Sequence, residues 1–192
     1  MKLRTFVALE LPETSIAEIS THLIRWQAAH PRHANWVKPQ NLHITLLFIG
    51  DVEQGSLKQL CACLAEHCAQ YDPPRLILEG YELFPASRPR LLWAKLKAED
   101  RSIFSFPKAL IPKLEDLGLE PDRKNLKLHT TLARIKQAFS PEQEREFLAT
   151  RLSAESFSCE RITLYRSELK PDGPLYSVID QYDLNKINLP RR

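Results

Sequence analysis

The chain has 192 residues, of which 43% are hydrophobic, and this is enough for one domain with an apolar core. Its 27 Lys and Arg residues against 24 Asp and Glu residues give a net charge of +3, far from the basic excess of a histone-type binder. No apolar run approaches the length of a membrane span, and the N-terminal run, broken by Glu10 and Pro12, is too short for a signal peptide. We therefore expect no membrane partner. Because the net charge is small, an anionic ligand would have to be bound by a few positively charged or polar side chains at its site.

The four cysteines form neither a disulfide framework nor a zinc pattern. Cys61, Cys63 and Cys68 share one helical segment, and Cys159 lies far along the chain. We expect buried, reduced thiols, which favour a cytoplasmic location and a chemistry that does not use cysteine.

The spacing of apolar residues predicts alternating strands and helices in the first half of the chain. In order, they are a strand over 3–11, a helix opened by Pro12, a short strand over 36–37, a strand over 42–49, a helix that follows a turn at Gly50 and Asp51 and carries Val52, Leu57, Leu60 and Leu64, and a strand over 75–84.

The same order of elements recurs in the second half. It comprises a strand over 91–97, a helix with Leu110, Leu114 and Leu117 that ends at Gly118, a strand over 128–134, a helix with Ser140 as N-cap, Pro141 at its first position and Gln143 in a capping box, and strands over 157–166 and 175–182 joined by a turn over 171–174.

One tetrapeptide pattern, His-x-Thr-Leu, lies on the third element of each half, at residues 43–46 and 129–132. Alternate side chains of a strand share a face, so His43 projects with Thr45, and His129 with Thr131. A single strand histidine is more often structural than catalytic, but a chance pair of such motifs is on the order of one in a thousand. The pair therefore indicates a site.

These halves predict an internal duplication, approximately residues 1–85 and 86–192, within one two-lobed domain over residues 1–192. The predicted fold class is α+β. Two pseudo-symmetric lobes, each a mainly antiparallel sheet with helices on its outer face, enclose a central cleft that carries one His-x-Thr motif per lobe.

Two imidazoles that face one cleft suit a reaction in which one proton is taken and another is given near neutral pH. Phosphodiester cleavage needs both transfers, because a base activates the attacking oxygen and an acid protonates the leaving alkoxide. Threonine hydroxyls can donate hydrogen bonds to the non-bridging oxygens of the phosphate.

The paired motifs resemble those of the two-histidine phosphoesterase superfamily. The closer similarity is to its RNA 2′,3′-cyclic phosphodiesterases, also called 2′-5′ RNA ligases. The supporting stretches are TFVALELP at 5–12, NLHITLLFIG at 41–50, PRLLWA at 89–94, and SEL at 167–169 before GPLY at 173–176. One departure is Leu128, where many relatives have proline before the second histidine.

The resemblance implies hydrolysis of 2′,3′-cyclic phosphate ends of RNA to 2′-phosphate ends, with His43 as proton donor and His129 as acceptor. It also implies phosphate binding by Thr45 and Thr131, with Arg134 as a charged partner. The symmetry mate of Arg134 is Phe48. In a regular strand each of these two would lie opposite its histidine, and an intervening bulge would change that. We interpret Phe48 as a core residue, and Tyr176 also as a packing residue.

Other interpretations remain open at this point. They are a non-catalytic nucleotide or RNA-end binding module in the same cleft, a metal site built from both histidines, and a phosphodiesterase of small cyclic nucleotides or 2′-5′ oligoadenylates. Single-histidine arms are poor metal sites, so we expect no metal and no cofactor. The expected partners are RNA ends that bear a 2′,3′-cyclic phosphate, with tRNA halves as substrates of the reverse 2′-5′ ligation, and the expected oligomeric state is a monomer.

Overall fold

Nine strands and four helices form within residues 1–170 and 173–184, the part of the chain that the computed structural model describes. The strands are β1 (Lys2–Glu10), β2 (Ala34–Trp36), β3 (His43–Glu53), β4 (Arg75–Phe84), β5 (Leu91–Ala98), β6 (His129–Ile135), β7 (Ser156–Ser158), β8 (Arg161–Lys170) and β9 (Gly173–Asp183). The helices are α1 (Glu13–Ala29), α2 (Leu57–Cys68), α3 (Ser105–Asp116) and α4 (Pro141–Leu148). None of the described helices is long and apolar enough to cross a membrane.

The strands form one antiparallel sheet in the order β7-β4-β5-β6-β3-β1-β8-β9, with β2 paired to β6. Strands β3 and β6 meet through a single residue pair, Ile44 with Thr130, whereas β1–β3 and β5–β6 form longer ladders. We call β1, β3, β8 and β9 the first lobe, and the remaining five strands the second lobe. The predicted α+β fold of antiparallel sheet and helices is confirmed.

The described helices pack on both lobes of the sheet. Helices α2 and α3 contact the first lobe, while α4 contacts the second and packs against α1 through Trp26 and Phe147. Their apolar residues join one core with sheet residues that are at most 1% exposed, among them Leu9, Ile44 and Leu132. Removal of this apolar surface from water stabilises the packing of both lobes.

The helix ends follow their sequence signals. The Ser140 side chain accepts a hydrogen bond from the backbone N–H of Gln143, and the Gln143 side-chain oxygen accepts one from the backbone N–H of Ser140, so the predicted capping box is confirmed. Gly118 follows α3 with a φ of 75°, a backbone conformation that favours glycine after a helix.

The helix predicted after Gly50 was wrong in its start. Strand β3 continues through Val52 to Glu53, and α2 begins only at Leu57. Gly50 does have a positive φ of 93°, but it lies at a bulge, because Thr5 pairs with Gly50 and Phe6 pairs with Phe48. The positive φ therefore accommodates an extra residue within the strand instead of turning the chain.

The strand predicted over 157–166 was also wrong, because it is two strands that belong to different lobes of the sheet. β7 pairs with β4 of the second lobe, and β8 pairs with β1 of the first lobe. The chain crosses between the lobes at Cys159 and Glu160. In the turn predicted over 171–174, Pro171 and Asp172 lie outside the described residues.

The lobes do not coincide with the halves of the chain. The boundary at 85–86 falls between β4 and β5, which are paired neighbours in the second lobe. Each half instead gives two strands to the other lobe: β2 and β4 of the first half pair with β6 and β5, and β8 and β9 of the second half lie beside β1. An internal duplication stays a prediction. If it occurred, the two duplicated halves exchanged strands between the lobes.

Candidate active site

The two motifs meet at the point where the lobes join. Ile44 and Thr130 are paired across β3 and β6, and both are fully buried on the core side. Their neighbours His43, Thr45 and Thr131 project to the opposite side, as does His129. Extending the antiparallel register by one residue places His43 across from Thr131 and His129 across from Thr45. We call this side of the sheet the histidine face.

Each histidine ring is fixed by a backbone carbonyl two residues before it. The Nδ1 atom of His43 lies 2.7 Å from the carbonyl oxygen of Asn41, and that of His129 lies 2.7 Å from the carbonyl oxygen of Lys127. A carbonyl oxygen only accepts, so Nδ1 donates in both rings. In the neutral rings Nε2 is therefore the free nitrogen, able to take up a proton.

Burial disfavours the charged form of both rings. It lowers the pKa of His43 to about 4, against the hydrogen bond to Asn41, with a smaller lowering from His129. Burial also lowers the pKa of His129, while the Lys127 carbonyl raises it, the Lys127 charge lowers it and Glu82 raises it. Both rings are thus neutral at pH 7 in the free protein.

Matching bulges bring Arg134 and Phe48 to the histidine face. In β3, Val7 pairs with Leu47 and Ala8 pairs with Thr45, so Leu46 is an extra residue. In β6, Leu92 pairs with Ala133 and Trp93 pairs with Thr131, so Leu132 is the extra residue. The fourth residue of each motif is therefore the bulged one, and the bulge reverses the alternation that follows.

The interpretation of Phe48 as a core residue was wrong for this reason. Its side chain is 44% exposed, and its ring lies 5.6 Å from that of Phe6 on the histidine face. Tyr176 does pack, as interpreted, and it packs on the histidine face. Its ring lies 5.2 Å from the rings of Phe6 and His43. Burial raises the pKa of Tyr176, and Arg134 of the other lobe opposes that shift.

Each histidine ring packs against a buried aromatic ring. Phe6, which is 1% exposed, lies 5.1 Å from His43 and 5.2 Å from Tyr165, by ring centroids. Trp93, which is 5% exposed, lies 4.1 Å from His129. Close packing on these rings restricts the orientations of both imidazoles.

Two cavities lined by described residues do not contain the motif residues. One of about 750 Å³ lies at the Glu10 end of β1, and one of about 410 Å³ lies between α1 and α4. The chemistry of the paired motifs, and not cavity volume, therefore locates the site. Across the described ranges, no three His, Cys, Asp or Glu side chains are grouped so that they could hold a metal ion.

Comparison with known proteins places the chain in a family. A family model described as LigT like Phosphoesterase matches residues 15–93, which include the first motif. A Thermus thermophilus protein named RNA 2′,3′-cyclic phosphodiesterase is 34% identical over 192 residues, covering 95% of this chain and 90% of the relative. The chain belongs to the RNA 2′,3′-cyclic phosphodiesterase family. An Archaeoglobus fulgidus protein of the same name is 31% identical over 178 residues, covering 91% of this chain and 96% of the relative.

Solved structures support the same fold for this member of the RNA 2′,3′-cyclic phosphodiesterase family. A crystal structure from Thermus thermophilus has a TM-score of 0.77 and 30% identity, covering 95% of this chain and 98% of that chain. E. coli LigT complexed with 3′-AMP has a TM-score of 0.69 at 23% identity, covering 97% and 100%.

The structure brings all five sequence-predicted site residues to one face: His43, Thr45, His129, Thr131 and Arg134. Sequence reasoning missed the aromatic residues beneath the histidines. The stretches TFVALELP and PRLLWA contain Phe6 and Trp93, so the signal was present, but it pointed to the family and not to the site.

Proposed function

We propose that this chain hydrolyses the 2′,3′-cyclic phosphate ends of RNA to 2′-phosphate ends by two-histidine acid–base catalysis. The observation that carries the proposal is the matched pair of imidazoles on one face, each with Nδ1 bonded to a carbonyl and Nε2 free. The names of the curated relatives support the substrate class. A binding module would not require two rings prepared in this way for proton transfer.

In the proposed reaction, His129 takes a proton from water through Nε2, and the water oxygen attacks the phosphorus. The bond from phosphorus to the 3′ oxygen breaks, and His43 gives its proton to that oxygen. The products are a 2′-phosphate and a free 3′ hydroxyl, and solvent exchange then restores both histidines. With the 5′ hydroxyl of a second RNA in place of water, the same two proton transfers would form a 2′-5′ linkage and release the 3′ hydroxyl, which is 2′-5′ ligation.

His43 has to be protonated before it can act as the acid. Because burial lowers its pKa to about 4 in the free protein, the substrate itself must favour the charged ring. An anionic phosphate bound next to Nε2 does so, since an opposite charge raises the pKa of an imidazole. We therefore expect His43 to gain its proton together with the substrate.

The remaining groups of the face suit the rest of the substrate. Thr45 and Thr131, each across from a histidine of the other lobe, are placed to donate to the non-bridging oxygens. Arg134 supplies a cation to the same phosphate. The exposed ring of Phe48 is available to stack on a base.

The decisive test is incubation with an oligoribonucleotide that ends in a 2′,3′-cyclic phosphate, in EDTA, with identification of the product end. We expect a 2′-phosphate from the wild type and unchanged substrate from His43→Ala and His129→Ala. Tight binding of the cyclic end without turnover would favour a binding module. A 3′-phosphate product would refute the proposed bond cleavage.

The polarity of the two histidines needs a second substrate, with sulfur at the 3′ bridging position. A thiolate leaves readily without a proton, so this substrate needs little help from an acid. We expect His43→Ala to recover much of its lost rate on it, while His129→Ala stays slow. Rescue of His129→Ala instead would reverse the two roles.

A further inference from the structure

The second lobe has a carboxylate connected to its histidine through an indole ring. The Nε1 of Trp93 donates a hydrogen bond of 3.2 Å to Oε2 of Glu82, and the Trp93 ring lies 4.1 Å from the His129 ring at an angle of 53°. Phe84 also stacks on the indole, with centroids 4.1 Å apart. Trp93 thus has three neighbours, Glu82, Phe84 and His129, that restrict its orientation.

The first lobe has no such arrangement. By register, Ala8 takes the place of Trp93, and Thr163 takes the place of Glu82. Glu10 is the strand partner of His43, but its carboxylate is engaged with β8 and β9. There it accepts hydrogen bonds from Thr163 and, at 2.6 Å, from the Gln181 side chain.

Glu10 also has an ion pair with Arg161, which lies 3.8 Å from it and is shared with Asp183. Glu82, by contrast, has no ion pair with any residue of the described ranges, and its bonded partner is the indole. The two histidines therefore share a motif and a backbone hydrogen bond but differ in their electrostatic support.

We propose that Glu82, through Trp93, is a positioning residue that supports the positive charge gained by His129 when it takes the proton from water. This inference rests on the proposed function, because it gives a physical cause for the unequal roles of the two histidines. Glu82 and Trp93 do not themselves contact the reacting atoms in this scheme.

The physical basis is the electron-rich face of the indole. A cation within about 6 Å of a tryptophan ring is attracted to that face. A carboxylate that accepts from the indole N–H places its negative charge at the edge of the ring, where it polarises the indole and adds to this attraction. Consistently, Glu82 raises the pKa of His129, whereas no carboxylate does so for His43.

The other charged groups around His129 do not supply this support. Lys127, on the segment before β6, lowers the pKa of His129. Lys95 is the β5 partner of His129 by register, and its ammonium group is paired with Glu79 at 3.2 Å. His43, on β3, would add a second positive charge when protonated.

The test is Glu82→Gln, whose amide oxygen still accepts the indole hydrogen bond, so that charge is removed while the ring stays in place. The measurement is the NMR titration of the His129 and His43 ring signals in the free protein. We expect the His129 midpoint to fall by roughly 0.5 pH unit and that of His43 to stay unchanged. Glu99→Gln, which removes an exposed carboxylate outside the site, is the matched control and should move neither.

A kinetic readout follows on the cyclic phosphate substrate. In Glu82→Gln the low-pH limb of kcat/KM should move down with the His129 midpoint, and the plateau should fall about twofold because a weaker base transfers protons more slowly. Trp93→Phe keeps a ring but loses the N–H, and it should lower the His129 midpoint although Glu82 is intact. An unchanged midpoint in that variant would refute the route through the indole.

Equal shifts of both histidines in Glu82→Gln, or no shift of either, would overturn the inference. These outcomes are separable from a failure of the proposed function. The titrations need no substrate, so a selective His129 shift in a protein without turnover would contradict the function and leave the electrostatic pairing. Normal turnover without a selective shift of the His129 midpoint would support the function and contradict the role of Glu82.

Discussion

Replacing His43 by glutamine should flatten the pH dependence of folding stability. The ring is buried enough to lower its pKa from 6.5 to about 4, so between these values the unfolded chain binds a proton that the folded chain does not. Stability therefore falls as the pH falls through this interval, and it is fully present above the unfolded value.

The magnitude follows from the width of the interval. About 2.5 pH units at 1.36 kcal/mol each correspond to about 3 kcal/mol lost between pH 6.5 and pH 4. This is an upper limit, because the ring retains some exposure to water on the histidine face. Glutamine does not titrate, and its amide can still donate to the Asn41 carbonyl, so the variant should lack this loss.

Urea unfolding followed by the fluorescence of the three tryptophans gives the free energy at each pH. The useful quantity is the difference between the wild type and His43→Gln from about pH 7.5 to about pH 4.5, since titrations common to both proteins cancel. The comparison above pH 7 measures any effect of the substitution that does not depend on pH. Parallel pH curves for the two proteins would refute the buried, neutral state of His43.

The remaining predictions concern turnover of the cyclic phosphate substrate. His43→Ala and His129→Ala should each lower kcat by ~100-fold or more with the fold retained by circular dichroism, and near wild-type rates would make that histidine structural. Thr45→Ala and Thr131→Ala should each lose about 1 to 3 kcal/mol in kcat/KM through missing hydrogen bonds to phosphate, and unchanged rates in both would remove threonine from the site. Arg134→Gln should raise KM more than it lowers kcat, with a salt-sensitive difference from wild type; an effect on kcat alone would contradict ground-state binding. Activity should persist after exhaustive chelation, and loss with recovery on one divalent ion would contradict the metal-free mechanism.

The sequence was sufficient to identify the motif pair, the alternation of helices and strands, and the fold class. It was not sufficient for the faces of Phe48 and Arg134, because these depend on bulges at Leu46 and Leu132. A bulge is a mismatch between two strands, so it has no signature in one strand alone. Two adjacent buried residues after each threonine are the trace it leaves, and they resemble an ordinary apolar run.

The sequence also did not predict which strands form each lobe, for a related reason. A strand's own residues predict that it is extended but not which neighbour it takes. β4 was predicted with its correct bounds, yet nothing within it shows that it pairs with β5 across the proposed boundary between halves. The Glu82 carboxylate was overlooked with it, since its relation to His129 exists only through that pairing.

The exchange of strands between lobes also governs how the chain can fold. β1 pairs with β8, which follows it by more than 150 residues at Arg161–Lys170, so the first lobe cannot be completed until β8 has been synthesised. The second lobe, by contrast, draws all its strands and helices from between Glu13 and Ser158, a stretch that also contains β3, α2 and α3 of the first lobe. Contacts so distant in sequence slow folding, and an unpaired β1 would be open to association with other chains during synthesis. Truncation before β8 should therefore leave the second lobe with His129 in place. The first lobe, which carries His43, would lack β8 and β9.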